Sequence, residues 1–274
     1  MSYARELEHA CAMASEAGKL LIQIYETAFG YELKEGASPV TEADRVANSY
    51  LVDALRQAFP TDGVVAEESR DMSDALHKTR CWYVDPLDGT KEFIRRNGEF
   101  SVMLGLAIEG QATLGVVYQP VTDKLYSGIV GKGATLQRDG EKWPLRVTNT
   151  STPSELRFVS SRSHRSSETD ELLAQLGIHQ KSVSGSVGLK AGLIAEEQAD
   201  LYVHLSDKSC AWDACAPEAI VRAAGGCFTD LRGKPFVYGG TDLRNRHGII
   251  ACNKQAFDHV LPVIRSVGES MHLL

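Results

Sequence analysis

Apolar residues recur at three- and four-residue intervals near the start of the chain, at Leu7, Cys11, Ala14, Gly18, Leu21 and Tyr25. That spacing is the stripe of an amphipathic helix, and it predicts a helix from Ser2 to about Phe29, stopped by Gly30. A second stripe, Ala47, Tyr50, Leu51, Ala54 and Ala58, ends before Pro60. Its start is marked by Thr41 and Asp44, three apart as in a capping box. Between the two helices, residues 34–39 are charged and rich in breakers and read as a mobile polar loop.

The pattern then shortens to strand-length apolar runs. Gly63–Ala66 and Cys81–Val84 each end in carboxylates, and Ser101–Ile108 and Ala112–Gln119 flank Glu109-Gly110 as a hairpin. Lys124–Val130 continues the meander, with turns at Gly131, Gly133 and Gly140. Residues 1–148 therefore read as an α+β half, two helices on an antiparallel sheet. Beyond a loose boundary at Thr148–Pro153, strand and helix signals alternate. Strands are expected at Leu156–Ser160, Ala199–Leu205 and Gly248–Cys252. Helices are expected at Glu168–Leu176, Leu189–Gln198, from about Trp212 to Ala224, and at Lys254–Val267. Residues 149–274 read as an α/β half. Pro217 is tolerable only in a helix's first turn, which places Asp213 near an N-cap.

Composition narrows the class. Of 274 residues, 43% are hydrophobic and 24% charged, as in ordinary globular proteins. No uninterrupted apolar run is long enough to span a membrane, and the polar N-terminus does not read as a signal peptide, so a cytoplasmic location is expected, with peripheral attachment to an inner membrane still open. The six cysteines form no C-x-x-C pair and read as buried free thiols. A net charge of −7 argues against a nucleic-acid polymer as partner but not against a small anion, because bound cations reverse a local field. A homodimer is compatible with all of this.

Candidate chemistry gathers at element ends. Asp85-Pro86-Leu87-Asp88-Gly89-Thr90 closes a buried run with two carboxylates, a carbonyl and a glycine. Such oxygens suit Mg2+, and free N–H groups at Gly89 and Thr90 would suit a phosphate; an ordinary Asp-Gly turn reads the same way. Asp44 reads equally as a helix cap, Glu67-Glu68 as a solvated pair, and Asp213 as a cap. Ser182–Gly188 reads as an anion site or a plain serine N-cap. Lys91–Phe100 reads as a short, basic, exposed segment with Phe93 and Ile94 turned inward. If Asp44, Glu67, Asp85, Asp88 and Asp213 converge, they repel one another unless cations neutralise them, which is the composition of a multi-Mg2+ site for phosphoryl chemistry.

Asp85–Thr90, taken with Trp212-Asp213, Glu67-Glu68 and Thr41-Glu42-Ala43-Asp44, resembles the signature set of the lithium-sensitive, magnesium-dependent phosphatases related to inositol monophosphatase. Gly89–Ile94 followed by Asn97–Phe100 is similar to the CysQ-type 3′(2′),5′-bisphosphate nucleotidase branch, as are Trp212–Glu218 and Ser161–His164. The resemblance implies a five-layered αβαβα sandwich with two or three Mg2+ ions between its halves. It implies metal ligands at Glu67, Asp85, the Leu87 carbonyl, Asp88 and Asp213, with Glu68 on a third ion. Thr90 and Asp44 would orient and deprotonate the attacking water.

The implied substrate is adenosine 3′,5′-bisphosphate, cleaved to AMP and phosphate, with 3′-phosphoadenylyl sulfate as a second substrate. Contacts to it are expected from Glu67, Leu87, Asp88, Gly89, Thr90 and Asp213. For the second phosphate, Ser161 and His164 with Gly185, Ser186 and Lys190 form the nearest hydroxyl and cationic cluster. An inositol- or sugar-phosphate phosphatase of the same fold is the alternative, and a metal- or nucleotide-binding regulatory relative is the non-enzymatic one.

Overall fold

The computed structural model describes residues 3–33, 39–69, 72–163 and 166–274. The first apolar stripe folds as α1 (Ala4–Tyr25), burying Ala10, Met13, Ala14, Ala17, Gly18 and Leu21. A small antiparallel hairpin of β1 (Tyr31–Leu33) and β2 (Pro39–Thr41) leads into α2 (Glu42–Ala58). Residues 34–38 of the expected polar loop lie outside the described residues. The capping box at α2 forms as read from the sequence, with Thr41 and Asp44 satisfying each other's backbone donors.

Among the described residues, seven strands form one sheet in chain order: β3 (Gly63–Ala66), β4 (Arg80–Asp88), β5 (Ser101–Ile108), β6 (Gln111–Gln119), β7 (Lys124–Ile129), β8 (Gly133–Arg138) and β9 (Glu141–Leu145). A short helix, α3 (Thr90–Ile94), stands between β4 and β5. The sheet is not wholly antiparallel as expected, because β3 and β4 run parallel. The expected exposed segment after Thr90 is only partly so: Glu92 and Phe93 are buried in α3, while Arg95 and Arg96 face solvent.

The second sheet has strand order β11-β10-β12-β14-β13. Its chain runs β10 (Arg157–Ser161), α4 (Ser167–Leu176), β11 (Gln180–Ser184), α5 (Val187–Ala195), β12 (Leu201–His204), α6 (Ala211–Ala223), β13 (Cys227–Thr229), β14 (Ile249–Cys252) and α7 (Lys254–Ser270). Strand β10 pairs in parallel with β11 and β12, and β14 pairs antiparallel with β12 and β13.

Layering follows from which faces are apolar. Helices α1 and α2 share a core with Trp82, Leu104 and Val116 on one face of the large sheet. Helix α6 sets Ala216 and Ile220 against Met103, Val117 and Tyr126 on the other face, and Ala214 and Val221 against Phe228, Ile249 and Ala251 of the smaller sheet. Helix α5 lies in the same middle layer beside α6. Helices α4 and α7 cover the outer face of the smaller sheet through Leu172, Leu176, Val260 and Ile264. The result is the five-layered αβαβα sandwich.

Two glycines let α6 lie directly on the large sheet. A Cβ at Gly105 would stand 2.6 Å from the Ala216 nitrogen, and one at Gly115 only 2.3 Å from the Ala216 oxygen. Helix α6 begins at Ala211, so Pro217 sits in its second turn, one turn later than expected. Having no N–H, Pro217 leaves the Asp213 carbonyl without its intrahelical donor. The six cysteines are all unpaired. No helix among the described residues is long and apolar enough to cross a membrane.

A buried polar staple ties the strand ends of the second sheet. The Asp200 carboxylate accepts from Arg157 Nε and backbone N at 2.8 Å each, and from Thr148 Oγ1 at 2.5 Å. Asn253 in turn donates to Thr148 Oγ1 at 3.1 Å. Burial pushes the Asp200 carboxyl up, but the bonds from Arg157 and Thr148 outweigh it and hold it below its ordinary range. The stabilisation is therefore present above the ordinary carboxylate pKa and is lost as pH falls through the depressed folded value. Asp200→Asn is expected to cost about 2–3 kcal/mol in urea unfolding near neutral pH, the scale of charge-assisted hydrogen bonds. The gap to the parent chain should close on acidification.

Candidate active site

The site begins with an irregularity in β4. Asp85 pairs with Met103 and Asp88 with Ser101, so one extra residue is accommodated on the β4 side. In a regular strand, residues three apart point to opposite faces. The bulge cancels that alternation, and both aspartates line one cavity. The strand thus runs on to Asp88 rather than stopping at Asp85. Asp85 is buried, with Oδ1 accepting from the Leu87 N–H at 2.9 Å. Gly89 follows with φ +101°, a left-handed value open to glycine, and a Cβ there would lie 2.9 Å from the Glu99 oxygen.

Thr90 opens α3 and reaches back. Its Oγ1 lies 3.2 Å from Asp44 Oδ1 and 3.3 Å from the Leu87 carbonyl. The second oxygen of Asp44 accepts from both the N and Oγ1 of Thr41 at 2.7 Å. Asp44 therefore caps α2 with one oxygen and meets Thr90 with the other. It is buried and is not among the residues lining the cavity; Thr90 is.

Two more acids arrive from other elements. Glu67 follows β3, where its N–H bonds the Val84 carbonyl at 3.1 Å and extends the parallel pairing. Asp213 stands in the first turn of α6, with Oδ2 accepting from Cys210 N at 2.7 Å. That helix start is braced by Asn245, which donates to the Cys210 carbonyl at 2.6 Å. Asp88 is held from the second sheet's side, with Oδ2 accepting from Ser186 Oγ at 2.6 Å and Gly188 N at 3.1 Å.

The electrostatics record the crowding. Burial, then the charges of Glu67, Asp88 and Asp213, push the Asp85 carboxyl well above its ordinary range. Burial, then Asp88 and Glu67, push Asp213 up likewise, while a hydrogen bond with Asp85 works in the opposite direction. The donor set (carboxylates of Glu67, Asp85, Asp88 and Asp213 with the Leu87 carbonyl) is all oxygen, which suits a hard divalent cation, and such a cation would relieve the repulsion. As the side chains stand, no three His, Cys, Asp or Glu among the described residues are grouped to hold a metal. One oxygen each of Asp85, Asp88 and Asp213 is engaged by a protein donor, which leaves the other oxygen of each for a cation.

These acids lie in a cavity of about 720 Å³, within the usual range for small-molecule sites. Glu67, Asp85, Leu87, Asp88, Gly89, Thr90, Ser161, Gly185, Ser186, Lys190 and Asp213, all expected from sequence, line it. Glu68 is not among the lining residues. His164 lies outside the described residues. Lys190 is 2% exposed, and its Nζ donates to the carbonyls of Gly185 at 2.9 Å and Ser186 at 2.6 Å. Burial brings its pKa down to about 8, against the pull of Asp88 and Glu92. Its hydrogen bonds are to protein carbonyls, and it lines the cavity where sequence placed it. Ser186 is the N-cap of α5, as the plainer reading of that serine-rich stretch has it, and it also lines the cavity.

Sequence reasoning missed a second wall made by Tyr202, His204, Lys208 and Ser209, together with Glu92 and Lys181. The alternation in Leu201–His204 was the available signal, since Tyr202 and His204 share one face of β12 and stack at 6.4 Å.

Residues 3–269 match the family model described as the inositol monophosphatase family. The 3′(2′),5′-bisphosphate nucleotidase CysQ of Escherichia coli O157:H7 is 41% identical over 235 residues, covering 85% of this chain and 93% of that protein. The protein of the same name from Haemophilus influenzae is 29% identical, covering 92% and 94%. Among solved structures, an IMPase of Thermotoga maritima superposes with a TM-score of 0.82 at 26% identity, covering 97% of this chain and 99% of its own. CysQ of Bacteroides thetaiotaomicron superposes with a TM-score of 0.76 at 30% identity, covering 92% and 98%.

Proposed function

The chain belongs to the inositol monophosphatase family, and from that premise we propose that it is a metal-dependent 3′(2′),5′-bisphosphate nucleotidase converting adenosine 3′,5′-bisphosphate to AMP and phosphate. The observation that carries the reading is the meeting of four carboxylates around one cavity with a threonine hydroxyl backed by a buried aspartate. The relatives that match most of the chain are named as nucleotidases of this kind, which favours the nucleotide over inositol or sugar phosphates. A purely regulatory binding protein has no use for the Thr90–Asp44 pair.

We assign Mg2+, as two or three ions, to Glu67, Asp85, the Leu87 carbonyl, Asp88 and Asp213, with Glu68 reserved for a third. Bound there, the cations would polarise the phosphate, lower the pKa of a water and neutralise the departing oxygen. The chain's own residues do the rest. Thr90 Oγ1 accepts a proton from the attacking water and passes its own to Asp44 Oδ1, the general base. Asp44 keeps its orientation because Thr41 holds its other oxygen. The Gly89 and Thr90 amides meet phosphate oxygens. The second phosphate lies toward the rim, where Lys91, Lys181, Lys208 and Ser161 face the cavity.

Residues 1–148 and 149–274 are retained as the two halves of the enzyme. The same reading assigns it to the cytoplasm, where its thiols stay reduced, and light scattering at twice the chain mass would establish a homodimer. With adenosine 3′,5′-bisphosphate and Mg2+, chromatography should recover 5′-AMP and phosphate, and chelation should stop the reaction. Recovery of 3′-AMP, or undiminished turnover in excess chelator, contradicts the proposal.

A further inference from the structure

Lys190 is a buried cation in the cavity wall, and among the described residues its hydrogen-bond acceptors are the carbonyls of Gly185 and Ser186. Its ammonium also lies 5.1 Å from the centre of the Tyr202 ring. Both carbonyls belong to the turn entering α5. There Ser186 takes φ +41°, a left-handed value that strains a residue with a side chain. Such strain persists only where neighbouring bonds enforce it.

That turn is the joint between the two sheets. Ser186 Oγ donates to Asp88 Oδ2, accepts from Leu189 N at 3.1 Å, and meets Ser101 Oγ at 2.8 Å. Gly188 N gives the same Asp88 oxygen a second bond, and Gly185 N donates to Glu99 Oε2 at 2.7 Å. A Cβ at Gly188 would stand 2.7 Å from Met103 Sδ and Val117 Cγ1, so the turn is wedged against β5 and β6. Among the described residues, both bonds to Asp88 Oδ2 come from the strained turn and the first residues of α5, and Lys190 holds that turn from beneath.

We propose that Lys190 is a positioning residue: its buried ammonium clamps the Gly185 and Ser186 carbonyls, keeps the strained turn closed, and so fixes Asp88 with Oδ2 occupied and Oδ1 left for the cavity. This rests on the metal-dependent reading of the site. It differs from a substrate role in what it predicts.

Lys190→Met keeps the apolar stem and removes the charge. Calorimetric titration of Mg2+ without substrate should show at least tenfold weaker binding, and kcat should fall at least tenfold while nucleotide KM stays within about twofold. Ser186→Ala removes the next link, and the double variant should lose little more than either single one, because both act through one oxygen. Lys190→Arg, which keeps a cation able to reach a carbonyl, should recover part of the loss. Should Lys190→Met fail to fold, Lys190→Gln replaces it with one donor and no charge. Hydrogen exchange at the Gly188 amide in the metal-free protein reads the turn directly and should quicken at least tenfold. A tenfold rise in bisphosphate KM with Mg2+ affinity, kcat and Gly188 exchange unchanged overturns the proposal and makes Lys190 a substrate ligand. A parent chain that binds no Mg2+ or hydrolyses no bisphosphate overturns the functional reading instead, and the exchange measurement still decides the role of Lys190.

Discussion

Asp213→Asn should lose at least roughly a hundredfold in kcat, about 2.7 kcal/mol of transition-state stabilisation, and yet melt at a higher temperature than the parent chain when both are metal-free. The two effects have one cause. Asp213 is half-buried beside Asp85, with Asp88 and Glu67 near enough to raise its pKa. An acid whose folded pKa is raised binds its proton more tightly in the native state. It costs nothing below the ordinary value of 3.8, and the cost grows as pH rises through the window up to the raised value. Asparagine keeps the shape and removes the charge, so in chelator at pH 8 the fold should gain stability. Mg2+ should raise the melting temperature of the parent far more than that of the variant, because a ligand that binds only the native state stabilises it. Differential scanning fluorimetry with and without chelator measures both. A variant that melts lower than the parent in chelator would mean that the acids are not assembled at a cost.

Thr90 separates the proton path from the metal ligands. Thr90→Val keeps the volume and β-branching but deletes the hydroxyl that meets Asp44 at 3.2 Å. General-base assistance is worth about 10²–10⁴-fold, so kcat should fall within that range while Mg2+ affinity and nucleotide KM change little. Thr90→Ser restores the hydroxyl and should retain most of the turnover. Asp44→Asn should resemble Thr90→Val, because the amide can still accept from Thr41 but cannot take a proton. Stopped-assay kinetics across the three variants test this. Equal activity of Val and Ser at position 90 would remove the hydroxyl from the mechanism.

Much of this site was legible in the chain because acids at element ends leave a simple trace. Thr41 and Asp44 announced a helix start, and the same aspartate then serves two partners. Asp85 and Asp88 were visible as a pair, but their common facing was not, since it depends on a bulge set by the pairing with β5. Strand β9 escaped notice because most of it is exposed, and β8 because its alternation rests on two apolar residues, Ala134 and Leu136, alone. Pro217 misled for a different reason. The contacts of α6 with both sheets outweigh the missing hydrogen bond, so the helix begins earlier than a proline rule allows.

Lys190 shows what residue chemistry alone leaves open. A lysine beside a serine-rich turn near a candidate phosphate site reads as an anion ligand. The fold buries it and supplies two carbonyls, and its charge serves the backbone. Conversely, Tyr202, His204 and Lys208 carried no motif, yet they form a wall of the cavity because β12 ends beside the start of α6. Local pattern identifies acids and caps well; it does not report which side chains a tertiary turn will bury.

The most direct test of the central claim is the ratio of kcat/KM for adenosine 3′,5′-bisphosphate to that for inositol 1-phosphate, measured by phosphate release in Mg2+ and again in chelator. The nucleotidase reading predicts a ratio of at least roughly a hundred, about 2.7 kcal/mol of discrimination, with both activities lost in chelator. Equal or greater efficiency on inositol 1-phosphate, or turnover of the bisphosphate that survives chelation, would contradict it.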